Sequence, residues 1–153
     1  MPIDATKAMS LAFEPVTVTI ERGRLRFFAQ ATGARDQVYR DLDAARRAGH
    51  PDLPVPPTFF FGLELDAPDP VGYLRELGVD LGRVLHGEQS FTYHRLAYAG
   101  DTLTLQPRIV DVFSRRGGAL EFLVKETTIT RDGEPIVEAR TTIVVRNPEV
   151  HAA

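Results

Sequence analysis

Two hydrophobic periods divide the chain, a helical one before about residue 85 and a strand one after it. Leu25, Phe28 and Ala29 recur at helical spacing behind Glu21, with arginines on the opposite side and Gly33 as a stop. Asp41 caps a short helix that reaches Ala48 and ends at Gly49. Four prolines between His50 and Pro57 then impose an irregular approach to the run Val55-Pro-Pro-Thr-Phe-Phe-Phe-Gly-Leu-Glu-Leu65. Thr58 is placed to cap a helix, and Phe59, Phe60, Phe61, Leu63 and Leu65 cover more than one of its faces, so the pattern predicts a helix surrounded by protein. Val71 to Leu77 resumes as a short helix that Gly78 ends, and residues 79–84 read as a connection.

Strand periodicity appears first at Val16, Val18 and Ile20, tempered by Pro15. It dominates from His86 onward. Phe91 and Tyr93 share a strand face, Tyr98 to Asp101 is a turn, and strands are expected over Thr102–Phe113, Ala119–Thr130 and Pro135–Arg146. Asp132-Gly133 is a hairpin signal, and Val137, Ala139, Thr141, Ile143 and Val145 fall on one face of the last strand. Short connections favour antiparallel pairing. Five strands and one apolar helix predict an α+β fold, an antiparallel sheet wrapped around a central helix, whose start would offer backbone N–H groups to a carbonyl or an anion. Residues 1–13 and 147–153 carry no sustained pattern and are expected to be peripheral to this single domain.

Composition narrows the function classes. The 153 residues are 43% hydrophobic and 25% charged with a net charge of −3, which suits one globular domain. The densest basic features, Arg22/Arg24/Arg26, Arg46-Arg47 and Arg115-Arg116, are too dispersed for a nucleic-acid face and read as solvated helix and turn residues. Absence of cysteine excludes disulfides, thiol nucleophiles and thiolate metal sites. The start Met1-Pro-Ile-Asp-Ala-Thr-Lys7 is unlike a signal peptide and no stretch reaches membrane-spanning length, so a cytoplasmic location without membrane contact is the expectation.

Five segments in order carry a resemblance: Ala29-Gln-Ala-Thr-Gly33, Tyr39-Arg-Asp41, Ala44-Ala-Arg-Arg-Ala-Gly49, Val55-Pro-Pro-Thr-Phe59 and Tyr93-His-Arg-Leu-Ala-Tyr-Ala-Gly-Asp101. Over residues 14–146 the chain resembles the MaoC-like dehydratases of the hot-dog fold, in their N-terminal, fatty-acid-synthase-type branch, which includes accessory subunits of mycobacterial (3R)-hydroxyacyl carrier-protein dehydratases. The resemblance implies pairing of two hot-dog sheets, as a homodimer or with a related catalytic MaoC-like subunit. It implies acyl thioester substrates whose coenzyme A or phosphopantetheine, in the second case on an acyl carrier protein, arrives with the substrate, and no prosthetic group. Complete members dehydrate 3-hydroxyacyl thioesters or hydrate trans-2-enoyl ones.

The loop after Gly33 departs from that pattern. Catalytic relatives carry an Asp and, five residues later, a His; the matching positions here hold Ala34 and Tyr39, with Asp36 where an Asn is usual. Asp36 and Tyr39 are candidates for an altered catalytic pair, although a phenol of pKa about 10 is poorly prepared for proton transfer at neutral pH. Their plainer reading is a loop-fixing carboxylate and a packed aromatic. Thr58, Phe59 and Phe60 are candidate thioester or tunnel contacts, and Arg95 a candidate pantetheine contact, ahead of Arg115 and Arg116. His50, His86, His94 and His151 form no metal-ligand pattern and read as structural or solvent-facing. The sequence thus points to a dehydratase/hydratase half that is non-catalytic or altered, with a thioester-binding protein as alternative and a thioesterase, for want of a nucleophile or paired base, as third.

Overall fold

The structure is a computed structural model that describes residues 2–150. Its frame is one five-stranded antiparallel sheet in the order β1-β3-β4-β5-β2, built from β1 (Val16–Thr19), β2 (Val84–Tyr93), β3 (Thr102–Arg115), β4 (Leu120–Arg131) and β5 (Glu134–Arg146). Asp132 (φ 51°) and Gly133 (φ 80°) both adopt the left-handed conformation between β4 and β5, as a two-residue hairpin turn requires. The expected face of β5 is buried throughout, from Val137 to Val145. The helices α1 (Ala5–Met9), α2 (Arg22–Ala31), α3 (Leu42–Arg47), α4 (Phe60–Leu63) and α5 (Gly72–Glu76) gather against the sheet, giving the wrapped hot-dog arrangement.

The central helix is shorter and less enclosed than its composition predicts. After one α turn it continues as a 3-10 turn, Glu64–Asp66. Phe59, Phe60 and Leu63 are buried, whereas Phe61 and Leu65 are 39% and 58% exposed. Phe59, not Thr58, occupies the N-cap position, and no side chain caps the helix.

The concave face holds two apolar clusters. One surrounds the start of the central helix and includes Leu25, Phe59, Phe60, Leu103 and Ile136; the other joins Ala8, Leu74, Ile109, Leu123 and Ile143. Burial of each large aliphatic side chain contributes about 1.5–3 kcal/mol. The lead-in belongs to the second cluster and is less peripheral than its weak pattern suggests. Asp4 caps α1 through Lys7 N, Ala8 is fully buried, and Ile3 N donates to Glu121 Oε1 at 2.6 Å. At the other end Asn147 Nδ2 donates to Gly118 O and Glu121 Oε2.

Arginines on α2 are anchors as well as solvent-facing residues. Arg22 forks onto Asp52, and Arg24 pairs with Asp66 at 2.5 Å while its guanidinium lies 5.4 Å from the centre of the Phe59 ring. These contacts tie α2 to both ends of the central segment.

Candidate functional site

A cavity of about 260 Å³ opens at the start of the central helix, walled by Val55, Pro57 and Phe60 on one side and by the Tyr93–Ala97 segment on the other. Among the described residues the proline-rich approach pairs there only through a single antiparallel bridge, Pro54 to Tyr98, in which Val55 N donates to Ala97 O and Ala99 N to Leu53 O. Tyr93 Oη donates to Pro57 O at 2.7 Å and so fixes that approach against the end of β2. Burial pushes the Tyr93 phenol above its ordinary value, which keeps it a neutral donor. Phe91 stacks on Tyr93 at 5.8 Å, and Phe60 lies 6.3 Å from it.

Phe60 and Arg95 thus lie in opposite walls, and neither Thr58 nor Phe59 lines the cavity. Phe59 is committed to the core, its ring in edge contact with Phe28 at 5.3 Å. Backbone donors at the helix start are partly consumed, because Phe59 N and Phe61 N donate to Pro56 O and Thr58 O within the tight turn. Arg95 is mostly exposed, with Glu134 Oε2 at 3.8 Å from its Nε, and His94 Nε2 lies 3.2 Å from Glu138 Oε2 at the rim.

The loop between α2 and α3 is occupied by structural bonds. Asp36 Oδ1 accepts from Val38 N at 3.1 Å and caps a 3-10 turn over Gln37–Tyr39. Ala34 N donates to Ala29 O at 2.9 Å, and Arg40 Nη2 donates to the same carbonyl at 3.3 Å. Neither Asp36 nor Tyr39 lines the cavity at the helix start. His50 Nδ1 lies 3.4 Å from Tyr98 Oη, and His86 Nε2 is 3.1 Å from Glu88 O with its ring 4.9 Å from that of Phe61. Arg115 stacks over Phe113 at 4.8 Å, at the end of β3. His151 lies outside the described residues. No group of three or more His, Cys, Asp or Glu that could hold a metal ion occurs among the described residues.

Sequence reading missed a second polar centre. Glu64, on the central segment, pairs with Lys125 of β4, and Thr127 Oγ1 donates to the same carboxylate. Lys125 Nζ also lies 5.3 Å from the centre of the Tyr73 ring. Burial, with the Glu64 carboxylate adding to it, drives the Tyr73 phenol far above its usual range. One signal pointed here: Lys125 is in phase with Leu123, Thr127 and Ile129, the inward positions of β4.

A family model described as the FAS1-like dehydratase domain region matches residues 7–139. The chain belongs to this dehydratase-region family. The chain is 40% identical over 135 residues to the UPF0336 protein of Saccharopolyspora erythraea, covering 86% of this chain and 85% of that relative. Among solved structures, a chain of the HadBC (3R-hydroxyacyl-ACP dehydratase) complex from Mycobacterium tuberculosis is similar with TM-score 0.72 and 26% identity, over 85% of this chain and 91% of that one. A chain of the ChsH1-ChsH2 complex from the same organism matches in fold with TM-score 0.76 and 22% identity, over 94% of each chain.

Proposed function

We propose that this family member is the non-catalytic or altered half of an acyl-thioester dehydratase/hydratase acting on 3-hydroxyacyl or trans-2-enoyl thioesters, and that a related MaoC-like partner supplies the acid and base. The observation that carries this reading is the bonding of the α2–α3 loop. Ala34 presents a methyl group, and Asp36 is taken up in capping a turn. Removing a proton beside a thioester and protonating the departing hydroxyl need groups within hydrogen-bond reach of the substrate. The apolar cavity at the helix start, with Arg95 and His94 at its rim, suits binding of the thioester and pantetheine parts better than proton transfer. Similarity to chains of the two-component complexes HadBC, described as a 3R-hydroxyacyl-ACP dehydratase, and ChsH1-ChsH2 supports a paired assembly.

Turnover of trans-2-enoyl-CoA substrates tests the reading. The purified chain alone is expected to show no hydration above the uncatalysed rate, and activity is expected on adding a MaoC-like subunit that carries the Asp and His. Substituting Asp36→Asn or Tyr39→Phe should leave that activity unchanged. Robust hydration by the chain alone, lost in those two variants, would overturn the assignment and make Asp36 and Tyr39 a working pair.

A further inference from the structure

The Glu64–Lys125 pair is costly where it stands. Lys125 and Glu64 are only 11% and 14% exposed, and the rungs on either side of Lys125 along β4 lead to the two apolar clusters of the concave face. Removing two charges from water costs several kcal/mol per ion, and apolar replacements of such pairs are often neutral or stabilising. The fold therefore does not require an ion pair at this point. It nevertheless has a polar rung across the sheet: Lys125 stands opposite Thr141, and Thr141 Oγ1 donates to Gln89 Oε1 at 2.7 Å on β2.

Two cavities meet at this rung. One, of about 360 Å³, lies between the lead-in around Phe13, the proline-bounded segment at Pro68 and β3. The other, of about 240 Å³, lies between the central helix and β2, against Phe61, Leu65 and His86. Glu64, Pro70, Tyr73 and Lys125 line both. The larger falls within the range of roughly 300–1,000 Å³ usual for small-molecule sites. An ammonium carries three N–H donors. Among the described residues Glu64 is the only hydrogen-bonding or ionic partner of Lys125 Nζ, so donor capacity remains at the point where the cavities adjoin.

We propose that Lys125, held in place by Glu64 and Tyr73, is a recognition site for an oxygen atom on the hydrocarbon part of the bound acyl group, a ketone or hydroxyl distant from the thioester. The proposal rests on the thioester reading above and adds a substrate class to it: acyl groups that are apolar over most of their surface but oxygenated in their distal half. Phe61, Leu65 and the Phe13 region supply the apolar walls, and Lys125 supplies the one charged donor. Plain fatty acyl groups would leave that ammonium desolvated without a further acceptor, which costs affinity.

Calorimetric titration of the full chain, alone and reconstituted with its MaoC-like partner, with dodecanoyl-CoA and with oxododecanoyl-CoAs carrying the ketone in the distal half of the chain tests this. The wild type is expected to bind at least one oxo derivative about tenfold more tightly than dodecanoyl-CoA, the value of a hydrogen bond to a charged group. The double variant Glu64→Leu/Lys125→Met removes both charges together and so leaves neither unpaired; it should lose that preference while keeping its circular-dichroism spectrum. If the double variant fails to fold, Lys125→Gln, which keeps a shorter neutral donor, should reduce the preference without abolishing it. Equal affinities for plain and oxo chains in the wild type, or a preference that survives the double variant, would overturn the polar recognition site and leave the thioester reading standing. Failure of every acyl-CoA to bind in either preparation would overturn both.

Discussion

Charge does its structural work in this protein at a few partly buried carboxylates. Asp52 receives two N–H groups of Arg22, at 2.9 Å and 2.6 Å, and also accepts from Leu53 N at 2.8 Å. The Arg22 guanidinium, with Leu53 N–H assisting, holds the Asp52 carboxyl below the ordinary carboxylate range. A carboxyl depressed in the folded state contributes stability that is complete above its unfolded value of about 3.9 and disappears as pH falls through the folded value. Arg22→Met is therefore expected to lower urea stability at neutral pH. The difference from wild type should shrink as pH falls from about 5 towards 2. Parallel stability curves for the two proteins over that range would show that the pair has no such role. Arg24 acts similarly at the other end of the central segment, where it also covers Phe59. Asp36, by contrast, spends its side chain on one backbone N–H of a turn, a role that Asn at the same position would also fill.

Among the elements, β2 carries one of the sheet's register irregularities. Its register with β5 slips between His86 and Glu88, so Gly87 is the extra residue of a bulge. A Cβ placed on Gly87 would come within 2.6 Å of Val144 Cγ2 and 3.2 Å of Thr142 O. The close approach is part of how the bulge presents His86 to the Phe61 ring. Gly87→Ala is expected to destabilise the protein by about 1–3 kcal/mol, read from the urea midpoint at unchanged m-value. An alanine variant as stable as wild type would mean that the bulge relaxes freely. The strand ends were legible in the sequence because period-two alternation and Asp132-Gly133 are local signals, and each strand lies within a few residues of its expected span. The central helix was legible in place but not in length. An apolar residue facing a cavity reads the same as one facing the core, so Phe61 and Leu65 looked buried when they line the space beside His86. Glu64 and Lys125 escaped notice because their pairing is made by the packing of the central segment against β4, a contact between residues 61 positions apart that local periodicity does not show.

At the scale of the molecule the two sheet edges are unlike. The β1 edge is four residues long and is preceded by Pro15, which offers no N–H for further pairing. The β2 edge is ten residues long, lacks proline, and ends in the Tyr93–Ala97 segment that walls the cavity at the helix start. A long, unprotected edge strand is a template for another chain, and pairing there would place a partner's groups beside that cavity, as the proposed division of labour between two chains requires. Hydrogen exchange measured with and without the MaoC-like partner gives the expected outcome a definite location. Those amides of Val84–Tyr93 that face away from β5 should exchange quickly in the isolated chain and slow strongly on pairing, while the Val16–Thr19 edge stays unchanged. The same protection in the chain alone, falling away on dilution, would identify a homodimer through this edge. Protection of β1 instead would move the interface to the opposite side of the sheet. The helix-start cavity would then be remote from any partner, and the sharing of one active site between two chains would have no geometric basis.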